Sequence, residues 1–342
     1  MLYVVIAYLW ASISLYLLLG GADFGAGIVE LVSRMNDRDR VRHVMHRAIG
    51  PVWEANHMWL IIAIVILFVG FPAIYSAISI YLHIPLVCML LGIMARGTAF
   101  AFRNYDAVRD DLHTLYSRIF TLSSLITPFF LGIVAAATIS GSVNPQAEDF
   151  IEAYIFSWLN WFGIATGFFT IAICGYLASI YIVGTLSNPV DTHLMTINIS
   201  RFVYISLILA GIVFLTAYLD EIPLVTRVFG SLVGQIAIAL AALSLFVQFI
   251  LLKKKHYIYI RLTAGFQIIM VLFAVIFQYF PIFVYFKDGS ALTLIQDESG
   301  HTTITLLGIA LLIGSVFILP ALFYLMYSFD RKRMETPSTQ SN

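Results

Sequence analysis

Charged residues are scarce in this sequence. Asp, Glu, Lys and Arg together make up 11% of the 342 residues, against roughly 25% in an average soluble domain. Apolar residues make up 61% of the chain, and the mean hydropathy is +0.92. A soluble protein of this length could not cover its surface with so few charges. The composition therefore excludes a soluble protein and indicates that lipid surrounds most of the chain.

An excess of basic charge and a set of paired cysteines are also lacking. The 19 Lys and Arg residues balance 19 Asp and Glu residues, so the sequence offers no basic patch for nucleic acid. Cys88 and Cys174 both lie in apolar runs and are expected to be free thiols. The first apolar run starts at Met1 without a basic segment before it. It is too long for the apolar core of a signal peptide, so we expect a retained membrane helix.

Motifs for several kinds of chemistry are missing as well. The sequence has no phosphate-binding glycine loop, no catalytic-triad pattern and no dinucleotide fingerprint. Of the eight histidines, only His57 and His83 fall within apolar runs, one toward each side of the membrane. They are not expected to flank one haem iron. His43 and His46 are three residues apart, but neighbouring arginines disfavour a metal site there. We therefore expect this chain to bind neither haem nor metal by itself.

What the sequence does contain is nine long apolar runs. About 20 apolar residues suffice for a helix to cross a bilayer, and only helices and closed barrels satisfy their backbone hydrogen bonds in lipid. The alternating pattern of a barrel is absent. We predict an all-α polytopic membrane protein: a single transmembrane domain over residues 1–330, arranged as two four-helix bundles plus one extra helix, and a disordered cytoplasmic tail over 331–342. The predicted spans are 3–22, 50–71, 73–95, 116–140, 156–184, 202–219, 227–252, 259–281 and 303–328.

The distribution of Lys and Arg predicts the orientation, because basic residues concentrate on the cytoplasmic side. The even-numbered connections carry only Arg227 and Lys287, whereas the odd-numbered connections and the tail carry most of the others. This asymmetry puts the N-terminus outside and the C-terminus in the cytoplasm, and it requires an odd number of spans. The basic residues on the predicted inner side are Arg34, Arg38, Arg40, Arg42, Arg47, Arg103, Arg109, Arg118, Arg201, Lys253, Lys254, Lys255, Arg261, Arg331, Lys332 and Arg333.

Four ionisable residues lie at a similar predicted depth at the inner ends of the first three spans. They are Asp23, Glu54, His57 and Arg96. An ionisable residue inside a span costs at least about 2.5–3.5 kcal/mol, so each is a candidate for function. One interpretation is an Arg96–carboxylate pair that orients the helices, with His57 hydrogen-bonded in the core. The other is a polar path that takes protons from the cytoplasm, and the clustering of the four residues favours it.

Other residues near this cluster are candidates for contact or packing. Trp53, Asn56 and Trp59 are candidates for structural or quinone contact; for Trp59 a place in the belt of aromatic residues at the membrane surface is the favoured interpretation. Small residues permit close approach of membrane helices. The candidate packing glycines are Gly21, Gly25 and Gly27.

Three strings in the first hundred residues or so resemble subunit II of the cytochrome bd family of quinol oxidases. They are GADFG at 21–25, GPVWEANHMWL at 50–60 and RGTAFAFR at 96–103. The second string is long and specific, whereas the first alone would be weak. The helix count and the spacing fit over essentially the whole chain.

The resemblance implies a non-haem subunit of a terminal oxidase in the bacterial cytoplasmic membrane. A haem-bearing subunit I would be the partner, with haems b and d or b only, and a small single-helix subunit is a further partner that the resemblance allows. The complex would oxidise quinol and reduce O2 to water, a quinol:O2 oxidoreductase that separates charge across the membrane. Quinol and membrane lipids would be its other contacts. A proton path assigned to this subunit in the family matches Glu54 and Arg96 here.

Two positions depart from the family pattern. An acid often stands three residues before the position of Asp23, where this chain has Gly20, and another stands where it has Ala101. A path through this chain would then be partly lost or rerouted, with His57 as a substitute. Two other functions stay open from the residues alone: a proton-coupled secondary transporter with its site at Asp23, Glu54 and Arg96, and a purely structural membrane partner.

Overall fold

The structure, a computed structural model, describes residues 1–34, 37–49, 53–103, 110–184, 186 and 188–335. Almost all of this part of the chain is helical. The helices are α1 Leu2–Leu15, α2 Gly21–Val32, α3 Arg38–Ile49, α4 Trp53–Gly70, α5 Pro72–Tyr81, α6 His83–Arg103, α7 Asp110–Ser140, α8 Phe150–Tyr154, α9 Trp161–Val183, α10 Pro189–Leu219, α11 Leu224–Gly230, α12 Leu232–Lys253, α13 Tyr257–Tyr279 and α14 His301–Glu335. One antiparallel hairpin pairs β1 Ile282–Tyr285 with β2 Ala291–Thr293.

The described helices account for the apolar runs of the sequence. Eight of them are long and apolar enough to cross a membrane, and there is a ninth crossing if α4 and α5, which meet at a bend of 115°, count as one span. The all-helical membrane architecture is therefore confirmed for the described residues. The orientation and the arrangement as two four-helix bundles plus one extra helix stay predictions.

The first span is longer than predicted. A five-residue π-helical turn, Tyr16–Gly20, joins α1 to α2, so that one continuous helix runs from Leu2 to Val32 instead of ending near residue 22. Gly21, Gly25 and Gly27 lie within this helix and face neighbouring helices at close range. Asp23 therefore lies within a helix and not at its end.

The predicted span 73–95 is divided between two helices. The α4 helix ends at Gly70, and Pro72 starts α5 in the first helical turn, where the missing N–H of proline costs nothing. The next helix, α6, begins at His83 and runs to Arg103. His83 is thus the first residue of a span instead of lying about ten residues inside one, and Arg96 lies seven residues before the helix ends.

Smaller shifts affect other predicted boundaries. The span predicted at 202–219 begins at Pro189. Asn160 caps α9 and Ser231 caps α12 by accepting hydrogen bonds from backbone N–H groups, so these helices start inside the runs predicted at 156–184 and 227–252. The α14 helix extends to Glu335, past the predicted start of the tail at 331; residues 336–342 lie outside the described part.

The α9 helix lies at the centre of the packing. It contacts α2, α7, α10 and α13, and most of its residues are buried. A second group forms where α1, α4 and α14 pack against one another. The α1–α2 helix belongs to both groups, because its first half packs on α4 and its second half on α7 and α9. Side chains at its middle therefore meet residues from several helices.

Candidate functional site

Three of the predicted polar residues come together around α2. The amide Nδ2 of Asn56, on α4, donates to Oδ2 of Asp23 at 2.8 Å. The guanidinium Nη2 of Arg96, on α6, donates to the backbone carbonyl oxygen of Asp23 at 2.5 Å. All three side chains are buried, with Asp23 and Arg96 each only 2% exposed. The contacts join three helices at a single residue.

Arg96 is held by polar and aromatic groups. Its Nε donates to Oγ of Ser124 on α7 at 3.3 Å, and its Cζ lies 5.1 Å from the ring centres of both Phe24 and Phe120. The guanidinium contacts the backbone carbonyl of Asp23 instead of pairing with its carboxylate, so the simple Arg96–carboxylate pair considered from the sequence is not the geometry here. The carboxylate of Asp23 has a neutral amide as its partner.

His57 lies beside this cluster in an aromatic contact. Its ring centre is 6.0 Å from that of Tyr16 and 5.7 Å from that of Phe24. The rings of Tyr16 and Phe24 meet edge to face at 6.3 Å. His57 directly follows Asn56 on α4; Asn56 contacts Asp23 of α2, and His57 contacts the rings of Tyr16 and Phe24. The structure thus brings four groups of different chemistry to one level: carboxyl, amide, guanidinium and imidazole.

A second charged level lies two helical turns further along α2. Glu30 is 1% exposed; it accepts from Nε of Arg42 on α3 at 2.7 Å and from Nη1 of Arg103 on α6 at 3.2 Å. The ring of Phe120 lies 4.6 Å from Cζ of Arg103. The sequence analysis did not single out this level. A signal was present, because Asp23 and Glu30 are seven residues apart, as are Arg96 and Arg103.

The remaining predicted candidates lie elsewhere or outside the described side chains. Glu54, in the first turn of α4, is exposed and does not join the cluster. Trp59 is partly buried and packs on the core that surrounds α2 and α9. The side chain of Trp53 and the residues 50–52 lie outside the described part of the chain.

The three candidate glycines are sites of close helix contact. A Cβ added at Gly25 would lie 1.9 Å from the carbonyl oxygen of Cys174 on α9. One added at Gly27 would lie 2.3 Å from Oγ of Ser124 on α7, and one at Gly21 would lie 3.4 Å from Sγ of Cys174. These contacts set the position of α2, and with it the carboxyl of Asp23, against the two neighbouring helices.

The two histidines that the sequence places in apolar runs contact aromatic rings and helix backbone. His83 Nδ1 lies 2.8 Å from the carbonyl oxygen of Ile80, and its ring meets that of Tyr154 at 5.1 Å. His57 lies near the start of α4, in the contact with Tyr16 and Phe24. Among the described residues, no group of three or more His, Cys, Asp and Glu side chains is placed to hold a metal ion.

Comparison with known proteins shows which family the chain resembles. The family model described as cytochrome bd terminal oxidase subunit II matches residues 1–329. The cytochrome bd ubiquinol oxidase subunit 2 of Bacillus subtilis is 28% identical over 93% of this chain and 92% of its own length. The cytochrome bd-I ubiquinol oxidase subunit 2 of Escherichia coli K12 is 25% identical over 48% of this chain and 45% of its own.

The fold also has a counterpart among solved structures. A chain of the bd oxidase from Geobacillus thermodenitrificans matches with a TM-score of 0.76 at 20% identity, over 96% of this chain and 98% of the other. This likeness shows a shared fold. Together with the family match, it confirms the resemblance suggested by the three sequence strings.

Proposed function

This chain belongs to the family of cytochrome bd terminal oxidase subunit II, and we propose that its buried Asp23–Asn56–Arg96 cluster passes protons from the cytoplasm toward the site of oxygen reduction. Membership makes the chain a subunit of a quinol:oxygen oxidoreductase and a multi-pass protein of the bacterial plasma membrane. The haems of this family are in the partner subunit. The chain's own contribution must therefore come from proton transfer, binding or stability.

The complex proposed for this chain pairs it with a haem-bearing subunit I, which carries haems b and d or b only. The partner oxidises quinol and reduces O2 by four electrons to water. The outward apolar faces, such as those with Leu207, Phe246 and Phe317, are suited to lipids, to subunit I and to a small single-helix subunit. Each water formed consumes two protons, so a proton route from the cytoplasm is part of the reaction.

The observation that carries the proposal is the contact of Asn56 and Arg96 with Asp23. A buried carboxyl can exchange a proton only if both of its protonation states are tolerated. The Asn56 amide donates to the carboxylate, and the nearby charge of Arg96 stabilises the carboxylate after the proton has left. Arg96 binds the backbone carbonyl of Asp23 and Asn56 binds its Oδ2. The other carboxylate oxygen of Asp23 therefore stays available to accept the proton.

The depth of the cluster is suitable for proton uptake. The helix from Leu2 to Val32 has 31 residues and is about 46 Å long, which exceeds a hydrocarbon core of about 30 Å. Asp23 lies about 32 Å along it. In the predicted orientation this is close to the inner surface, and the exposed Glu54 on α4 is a candidate for the group that collects protons there.

The second charged level supports a role in the stability of the subunit. Glu30 binds arginines from two other helices in a buried setting. This network fixes α2 against α3 and α6, and so holds Asp23 and Arg96 at the distance that the proton path needs.

The proposal is tested with Asp23→Asn and Arg96→Leu in the complete oxidase reconstituted in liposomes. We expect oxygen turnover and proton uptake from the inner side to fall about 100-fold in Asp23→Asn, the lower range for loss of a proton-transfer group. The haem spectrum reports assembly and should be unchanged. The control is Asp220→Asn, which removes a carboxylate at an exposed position and should leave both rates intact. Normal rates in Asp23→Asn and Arg96→Leu, with normal assembly, would leave only the structural role.

A further inference from the structure

The ring of Tyr16 fills the space above Gly20. A Cβ added at Gly20 would lie 2.9 Å from Cε2 and 3.0 Å from Cδ2 of Tyr16, so a side chain at position 20 would require this ring to move. The ring therefore points along the helix toward its α2 half, where Asp23 lies. The space beside Gly20 is thus filled by the ring of a tyrosine from the preceding turn.

The phenol hydroxyl of Tyr16 is buried without a protein partner. Tyr16 is 3% exposed, and its hydroxyl oxygen has no hydrogen-bond partner among the described residues. One turn earlier on the same helix, Ser12 is 1% exposed and its hydroxyl is also unpartnered. A buried hydroxyl left without a partner costs about 1–3 kcal/mol. Buried polar groups of this kind are commonly satisfied by buried water, and these two lie four residues apart on one helix face.

The helix is irregular at this place. Tyr16 is the first residue of the π-helical turn Tyr16–Gly20. Such turns interrupt the regular hydrogen-bond ladder of a helix and often occur at functional sites. Here the turn allows the ring to lie over Gly20, and the glycine leaves room for it. The irregular backbone and the unpartnered hydroxyl thus occur at the same residue.

The neighbours of Tyr16 are the groups of the candidate proton path. Its ring contacts those of His57 and Phe24, and Tyr16 lies close enough to Asp23 and Arg96 to interact with both electrostatically. Along the helix axis Tyr16 is about 10 Å from Asp23, and Ser12 about 6 Å further. These are offsets of the backbone along the axis; the hydroxyls of Tyr16 and Ser12 make no direct hydrogen bond to the described residues, so a connection between the groups requires water.

We propose that Tyr16 is a further residue of the proton path, and that a water-holding pocket between α1 and α4 connects Asp23 through the Tyr16 hydroxyl toward Ser12. The proposal rests on the proposed function of Asp23 and extends it toward the membrane interior. In each step the hydroxyl gives its proton to the next water and takes one from the water before it, so that it is unchanged after reorientation.

The pocket is tested by hydroxyl-radical footprinting of the purified oxidase, in which X-ray pulses split water and label side chains next to it. The comparison is with Tyr176, which is also 3% exposed but whose hydroxyl is bound to Gln248 and Gln267. We expect Tyr16 to be labelled several-fold more than Tyr176. Equal labelling of the two tyrosines would overturn the pocket.

The role in proton transfer is tested with Tyr16→Phe in reconstituted oxidase, measured beside Tyr8→Phe. Tyr8 lies on the same helix, and its hydroxyl is already bound to Ser315 of α14 at 2.9 Å. We expect Tyr16→Phe to slow proton uptake at least about threefold and Tyr8→Phe to leave it unchanged. Ser12→Ala should give a smaller loss than Tyr16→Phe.

The outcomes separate this inference from the function on which it rests. Normal proton uptake in Tyr16→Phe together with a defect in Asp23→Asn would overturn the role of Tyr16 and leave the Asp23 path standing. Normal uptake in both variants would overturn the path itself. If Tyr16→Phe fails to assemble, the footprinting of the unmodified oxidase decides whether the pocket holds water.

Discussion

At the scale of single residues, the absence of a side chain is as important as the polar groups. Gly25 lies directly against the backbone of α9, and Gly20 leaves space for the ring of Tyr16. Neither position requires an unusual backbone conformation, since both are helical. Their requirement is for space. Position 25 brings α2 close to α9, and position 20 lets a phenol approach the level of Asp23.

A larger residue at position 25 is therefore expected to destabilise the subunit. In Gly25→Ala the new Cβ would lie 1.9 Å from the Cys174 carbonyl oxygen and 2.6 Å from Cβ of Ala178, so α2 and α9 must move apart. Overpacking of this kind costs about 1–3 kcal/mol or more. The measurement is the thermal unfolding midpoint of the purified oxidase.

Gly211→Ala is the matched control for this substitution. Gly211 lies in α10 with nothing within 4 Å of an added Cβ, and alanine favours helices over glycine by about 1 kcal/mol. We expect Gly211→Ala to be at least as stable as the unmodified oxidase. Equal stability of the two variants would contradict the close contact at Gly25.

At the scale of helices, α2 and α6 contact each other through two matched levels. Asp23 with Arg96, and Glu30 with Arg103, have the same separation of 73 residues along the chain. Seven residues make about two turns of a helix. Asp23 and Glu30 therefore lie on one face of α2, and the two arginines lie on one face of α6. Phe120 of α7 contacts both arginines. The two levels differ in chemistry. The carboxylate of Asp23 is bound by a neutral amide, whereas the carboxylate of Glu30 is bound by two arginines.

Loss of the charge at Glu30 should destabilise the subunit. Glu30→Gln preserves the shape of the side chain but leaves Arg103, with a side chain 4% exposed, without its carboxylate. Removing one partner of a buried ion pair costs about 3–5 kcal/mol. The yield of intact oxidase and its unfolding midpoint measure the effect.

The control for this substitution is Asp191→Asn. Asp191 pairs with Arg40, whose side chain is 41% exposed, and an exposed pair contributes about 0–1 kcal/mol. If Glu30→Gln is no more harmful than Asp191→Asn, the second level does not hold the helices together.

At the scale of the whole molecule, distant parts of the chain meet beyond the C-terminal end of α7, away from the charged levels near Phe120 and Ser124. Lys287, in the turn of the β-hairpin, donates to Oε1 of Glu152 in α8 at 2.9 Å, across 135 residues of sequence. Asn144 donates to the same oxygen, also at 2.9 Å. Val143 and Phe286 add a backbone bridge. The connection between α7 and α9 and the connection between α13 and α14 thus form one surface.

This ion pair predicts a dependence of stability on pH. The hydrogen bonds from Lys287 and Asn144 hold the pKa of the Glu152 carboxyl below its usual range. The pair therefore contributes stability above the ordinary carboxyl pKa of about 4.3, and this contribution is lost as the pH falls through the lowered pKa. The effect is small because the groups are exposed.

The measurement is the difference in unfolding midpoint between the unmodified oxidase and Glu152→Gln as the pH falls from 7 to the acid range, about 3. We expect a positive difference at neutral pH that disappears in acid and shrinks in high salt. Lys287→Gln should behave in the same way, and the double variant should show no further loss. A difference that grows as the pH falls would have the wrong sign for this pair.

Much of the candidate site could be predicted from particular residues. Asp23 and Arg96 stand out because ionisable residues are rare in apolar runs, and their depth follows from counting residues along a helix. The placement of Glu54 could not be predicted in this way. It lies two residues before Asn56, yet the rotation of α4 turns Asn56 toward Asp23 and leaves Glu54 exposed. That rotation depends on how α4 packs against α1 and α14.

The amino-acid sequence by itself determined the membrane class, the helical runs and the family, because hydropathy and motif strings are local properties that need no packing. Only the tertiary structure decided which groups meet. It placed Arg96 on the backbone carbonyl of Asp23, gave Glu30 two arginines, and put the ring of Tyr16 over Gly20. Such contacts depend on the rotation and offset of whole helices. Close packing at small residues such as Gly25 fixes that rotation and offset, and no single segment of sequence encodes them.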